Sequence, residues 1–165
     1  MYAEYEYYKA LLGDNAADES TFTRLLWEAC RKMDIATTGM DGVCKLRDAM
    51  PTNEYDVEAV KRCACKLVHT AYEIEQAEAS SKMSQGYTVR ADGSLQGRVV
   101  SSISAGNESI SYSTSANSAA TTITDKAMAS QTIREQVDRD IITGSLSGVY
   151  DANNVPLLYM GPYPR

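Results

Sequence analysis

Four cysteines and a single histidine are the residues of this 165-residue sequence best able to do chemistry. A thiolate is a nucleophile and a soft metal ligand, and an imidazole serves as a general base or a zinc ligand. Cys63 and Cys65 stand two apart and diverge by roughly 200° on a helix, so they cannot chelate one ion together. Cys65 and His69, four apart, share a helical face, yet two ligands without a second pair leave a metal site incomplete. No local signature supplies the partners of a Ser-His-Asp or Cys-His arrangement around His69. Gly39, Gly42 and the later glycines match neither G-x-x-x-x-G-K-[ST] nor G-x-G-x-x-G, so no phosphate cradle is expected. Glu73, Glu75 and Glu78, beside Lys82, read as a solvated helix face. The expectation is a protein that is not an enzyme, with no catalytic, cofactor-binding or metal-binding residue and no cofactor.

Composition narrows the remaining classes. The 16 basic and 22 acidic residues give a net charge of -6, the wrong sign for wrapping a phosphate backbone tightly. No stretch approaches the roughly 18 apolar residues of a membrane span, and residues 1–12, rich in Glu, Tyr and Lys, do not read as a signal peptide. The chain is expected to be soluble, to keep Cys30, Cys44, Cys63 and Cys65 as reduced thiols, and to form a single domain over residues 1–165.

The elements that must position these residues follow from periodicity. A short helix is expected over residues 2–12, closed by Gly13, with tyrosines at Tyr2, Tyr5, Tyr7 and Tyr8 that suit an interface. Asp18 or Ser20 caps a second helix over 20–35, whose Phe22, Leu25, Leu26, Ala29 and Met33 form an amphipathic stripe; Trp27 falls at its margin in a structural role. A loop of about fifteen residues follows. A long helix over 54–82 carries Val57, Val60, Ala64, Leu67, Val68, Ala71 and Ile74 on one side. Thr124 caps a last helix over 125–143, with Ile123, Ala127, Ile133, Val137 and Ile141 inward and Gly144 as its stop.

Between the last two helices the pattern changes to period two. Over residues 86–118 glycines punctuate an extended segment, and 101–118 hold eight serines and a single charge, Glu108. Serines alternate with Ile103, Ile110 and Tyr112, and Gly106-Asn107 suits a turn, so a β-hairpin is the simplest form. Residues 150–165 contain three prolines with Leu157, Leu158, Tyr159 and Tyr163. They are expected to lie as an extended arm against another chain, dispensable for folding of the helical domain. The fold class is thus mainly α: a small bundle of about four helices with an inserted serine-rich β-hairpin or extended loop and an extended C-terminal arm.

Three places in this order resemble the head-tail connector, or adaptor, proteins of long-tailed bacteriophages. The stripe Phe22, Leu25, Leu26, Ala29, Met33, followed by Asp34, is similar to that family's early helix. VVSSISAGNESISYS at 99–113 is similar to its serine-rich strand-turn-strand motif, and LLYMG at 157–161 to its short C-terminal Leu-Leu-Tyr-x-Gly sequence. Pro156 and Pro162 depart from the pattern, where a Gly and a small aliphatic residue are usual. The resemblance implies a homo-oligomeric ring, commonly dodecameric, in the neck of the virion and assembled in the host bacterial cytoplasm. Such a ring docks to the portal protein, meets the next connector or a stopper or tail protein, and passes double-stranded DNA without gripping it. Ser102, Ser104, Ser109, Ser111 and Ser113 would then line the channel or face a neighbouring subunit, and Leu157, Leu158, Tyr159 and Tyr163 would form the portal-binding arm. The alternative is a cytoplasmic helical module that binds a regulatory partner, expected as a stable monomer or dimer. A thiol- or metal-dependent enzyme using Cys63, Cys65 and His69 is the third reading.

Overall fold

The computed structural model describes residues 1–89, 95–104, 109–113, 127 and 130–164. Its helices are α1 (Tyr5–Leu12), α2 (Glu19–Thr37), α3 (Lys45–Asp48), α4 (Glu54–Ser84) and α5 (Gln131–Leu146), and its strands are β1 (Gln85–Val89), β2 (Leu95–Ser104) and β3 (Ser109–Ser113). The fold is mainly helical, as the periodicity predicts. The chain divides into two compact units, Met1–Glu73 with Ser130–Arg165 and Ile74–Ala129.

In the first unit, the Asp18 carboxylate starts α2 by accepting the Thr21 backbone N–H at 3.0 Å and its hydroxyl at 2.7 Å. The predicted stripe is the buried face of this helix: Phe22, Leu25, Leu26, Ala29 and Met33. α1 docks Tyr5 and Tyr8 onto that face beside Phe22. Tyr8 is wholly buried with its ring 4.7 Å from that of Phe22, and its hydroxyl accepts the Ala17 N–H at 3.2 Å. Tyr7 donates to Glu58 on α4 at 2.6 Å, and Tyr2, which lies before α1, donates to Asp34 on α2. A phenol meets apolar neighbours with its ring and a polar group with its tip.

α4 is more deeply embedded than its pattern suggests. Val60, Cys63, Ala64, Leu67 and Val68 are buried as expected, but Cys65, pointing away from Cys63, is buried too. The helix is flanked on both sides: Ser145 of α5 stands beside Cys63, and Leu11 and Leu12 of α1 stand beside Cys65. The last helix departs from its predicted span of 125–143, since α5 begins at Gln131 and runs through Gly144 to Leu146. Thr124 and Ile123 lie outside the described residues. Burial of Ile142 and Leu146 carries the helix past Gly144. It ends instead in a turn closed by Val149 N–H to Leu146 O, where Gly148 takes φ 79°, a conformation favoured for glycine.

The second unit holds an antiparallel sheet of order β1-β2-β3. Its register sets Ser104 opposite Ser109 and Ser102 opposite Ser111, with Ile103 opposite Ile110 and Val100 opposite Tyr112. An irregularity between Val100 and Ser102 brings Val99 opposite Ser113. The turn at Gly106-Asn107 lies outside the described residues.

The connector after α2 and the C-terminal segment correct the sequence reading most. Residues 37–50 are not a plain loop, because Thr38 bridges Cys44 and α3 follows at once. The C-terminal segment returns along α5 through a Tyr150–Pro156 bridge, with Leu157 N–H donating to Val149 O at 2.9 Å. Buried Asp151 stabilises the reversal by accepting the N–H groups of Asn153 and Val155, each at 2.8 Å. Leu157 is 0% exposed in the chain's own core, so the arm is not dispensable for folding. Apolar surface that covers its own core loses more by leaving than by staying. Leu157→Ala is expected to cost about 2–5 kcal/mol of stability. Urea unfolding followed by circular dichroism checks this, and an unchanged midpoint would show that the segment is not part of the core.

Candidate functional site

Lys45, the first residue of α3, is 0% exposed. Its Nζ donates to the carbonyl of Thr37 at 3.2 Å and to the carbonyl of Tyr159. Thr37 is the last residue of α2, so the ammonium sits where a helix leaves carbonyls unsatisfied and carries partial negative charge. The same cation therefore caps one element and fastens another. Around it, Met40 N–H donates to Met160 O at 3.2 Å and Tyr163 N–H donates to Asp41 at 2.7 Å. The Tyr163 hydroxyl reaches Asp151, and Asn153 donates to it at 2.7 Å. Gly39 allows this closeness, since a Cβ there would lie 3.0 Å from the Gly161 carbonyl and 2.9 Å from Asp41 Oδ1.

The Tyr163 N–H, then the Val43 N–H, hold the Asp41 carboxyl below its ordinary value of 3.8. A depressed folded value stabilises the folded state above that pH and loses its effect as pH falls through it. This contact with the C-terminal segment is therefore fully present at neutral pH.

Cys44, Cys63 and Cys65 are buried and Cys30 is half-buried. Burial pushes Cys63 and Cys65 up to about 11, although Ser145 partly offsets this at Cys63. Cys30, half-buried, is raised by the same cause. His69 Nε2 lies 3.5 Å from Glu73, and its Nδ1 is buried with no hydrogen-bond partner among the described residues. Among those residues no group of three or more His, Cys, Asp or Glu is placed to hold a metal ion, and no helix is long and apolar enough to cross a membrane.

The other notable surface was not anticipated. Trp27 is 58% exposed and Ile35 65%, one on each side of Arg31, whose guanidinium lies 5.7 Å from the Trp27 ring centroid. Trp27 thus stands outside the core instead of at its margin. A groove of about 800 Å³ runs beside this ridge, lined by Tyr2, Cys30, Met50 and Arg47, and a second of about 580 Å³ lies between Ile35, Ile142, Leu158 and Met160. Leu25, Leu26 and Ala29 satisfy the helical stripe so completely that nothing in the sequence marks Trp27 as surplus.

The residues expected to form the site fall in different places. Ser102, Ser104, Ser109, Ser111 and Ser113 lie in the second unit, and Leu157, Leu158, Tyr159 and Tyr163 in the first. Leu157 is buried, Leu158 and Tyr163 are half-buried, and Tyr159 is exposed. Lys45, Asp41 and Gly39 escaped the sequence reading because a KLRD tetrapeptide resembles any charged surface turn. Gly39 and Gly42 were its only signal.

Replacing Lys45 by Met leaves the Thr37 and Tyr159 carbonyls without their donor, at an expected cost of about 1–3 kcal/mol. Amide exchange should quicken at Tyr159 and Tyr163 while α4 stays protected. At neutral pH, maleimide should leave Cys63 and Cys65 unmodified until denaturant is added; rapid labelling of either in the native protein would revive the thiol-enzyme reading. No protein-family model matches the chain, and neither a curated protein nor a solved structure matches it.

Proposed function

We propose that this chain is a structural subunit of a bacteriophage head-tail connector, a ring-forming adaptor that docks to the portal, joins head to tail and forms part of the DNA channel. The observation that carries the reading is the serine register, Ser102 opposite Ser111 and Ser104 opposite Ser109, in a segment whose residues 101–118 contain one charge. DNA that must slide past a surface is impeded by Lys or Arg contacts to its phosphates, and a face rich in serine offers hydrogen bonding without such Coulombic traps. The net charge of -6 agrees with a conduit that passes double-stranded DNA and does not hold it.

In this reading the partners are the portal protein, a further connector or stopper or tail protein, and copies of the chain itself in a ring of about twelve, located in the virion neck. The portal contact falls to the outward residues of the C-terminal segment, Tyr159 with Leu158, while Leu157 and Tyr163 hold the segment in place. The exposed Trp27–Ile35 ridge favours a second reading, a partner-binding regulatory module, because an exposed apolar ridge beside a groove is a docking feature in its own right.

Electron microscopy of the protein mixed with a portal separates the two: rings seated on the portal are expected, and a monomer or dimer that ignores it would favour the module. Within the connector reading, Ser104→Lys with Ser111→Lys should block ring assembly or slow DNA ejection. Full infectivity of a phage carrying both changes would count against the channel role.

A further inference from the structure

Three exposed residues of α2 lie on one row. Trp27 and Ile35 are 58% and 65% exposed, and Arg31 stands between them with its guanidinium 5.7 Å from the Trp27 ring centroid. Residues four apart form the row that one helix uses as a ridge when it packs into the groove of another, and this row spans about 12 Å of helix rise. Phe22, Leu25, Leu26, Ala29 and Met33 already supply the buried face of α2, so the row faces outward.

The groove of about 800 Å³ follows the same row. Trp27, Arg31 and Ile35 line it together with Cys30, Asp34 and Thr38, the adjoining row of the same stretch of chain. Its charges are of both signs. The Tyr2 hydroxyl that donates to Asp34 is neutral, so it leaves the attraction of that carboxylate for a cation intact. Arg47, also on the groove, is engaged by Asp48 at 3.0 Å.

We infer that this face is a two-fold interface between copies of the chain, the Trp27–Arg31–Ile35 ridge of each lying in the groove beside the ridge of the other. A ridge and a groove that run side by side are the two halves of a self-complementary contact, because a half-turn lays each ridge in the opposite groove. Trp27 and Ile35 are equally spaced from Arg31, so the half-turn sets Trp27 of each copy beside Ile35 of the other. The Arg31 guanidinium then meets the Asp34 carboxylate of the other copy, a charge match made twice. Trp and Arg at the centre of a contact are the residue types that carry most binding energy. The inference goes beyond the connector reading and does not rest on it: a two-fold pair is closed, so neighbours in a ring meet through other surfaces.

Trp27 is the single tryptophan of the chain, so its fluorescence reports the contact directly. Sedimentation of the full-length protein over a dilution series should show a monomer–dimer equilibrium, with Trp27 emission moving to shorter wavelength as the dimer forms. Trp27→Lys and Ile35→Glu change exposed positions and leave the core intact. Each alone should raise the dimer dissociation constant about tenfold or more, with an unchanged circular dichroism spectrum. Mixed, the two variants should pair again, because one contact is then native and the other sets Lys against Glu. A monomer at every soluble concentration, or association that leaves Trp27 emission unchanged, overturns the inference. So does association that survives either substitution, or a mixture that pairs no better than its components. Pairs that form in a protein giving no rings on a portal count against the connector reading and leave the pairing standing. Portal-seated rings from a chain that is monomeric beforehand do the reverse.

Discussion

A buried ammonium must be satisfied or the fold around it does not form, and Lys45 meets that constraint with two backbone carbonyls. One belongs to the C-terminal end of α2, the other to a residue 114 positions later in the chain. Because both acceptors are main-chain atoms, the ammonium dictates where two stretches of backbone lie relative to α3. The path of residues 38–44, the need for Gly39, and the docking of Tyr163 on Asp41 all follow from holding those two carbonyls within reach of one nitrogen. The nearby Asp41 carboxylate also feels the Lys45 charge, so the compensation of the ammonium combines a helix end, a peptide dipole and an anion.

Around this fastening the helical unit builds its core on α4. Small residues at Ala64, Cys63 and Cys65 let neighbouring helices approach from opposite sides, with Leu67, Val60 and Val68 supplying the apolar area. Cys63 and Cys65 pack within that arrangement, and desolvation raises both thiols above their ordinary value. The tyrosines of the first residues serve similarly: each offers its ring to the core and its hydroxyl to a polar partner on another segment, Ala17, Glu58 or Asp34. The Lys32–Asp138 pair at 2.7 Å joins α2 to α5, and its partial exposure limits its weight to that of an ordinary surface ion pair.

The proposed connector role rests on surfaces. The paired serines of β2 and β3 belong to one unit, and the Trp27–Ile35 ridge and the outward residues of the C-terminal segment belong to the other. Under that proposal each subunit would need several such surfaces, since it would meet two neighbours, a partner above and another below. The serine-rich sequence suits the proposed channel because hydroxyls form and release hydrogen bonds to phosphate readily, whereas fixed cations would bind it.

The periodic elements were legible in the sequence, because apolar spacing of three and four is written into each helix independently of what covers it. α2 and α4 follow from Phe22 to Met33 and from Val60 to Val68, and the cap at Asp18 is local chemistry. Alternation likewise marked the serine segment, since period two belongs to the strand itself. Tertiary structure alone decided the rest. Gly144 lies inside α5 because distant packing of Leu146 outweighs local helix-breaking, and Trp27 is exposed because the stripe beside it already fills the interface. Leu157 is core and not arm, and Lys45 is buried and not solvated, because their partners lie far away in the sequence. Residue type and spacing determine what a segment can form alone, whereas burial depends on which other segment arrives to cover it.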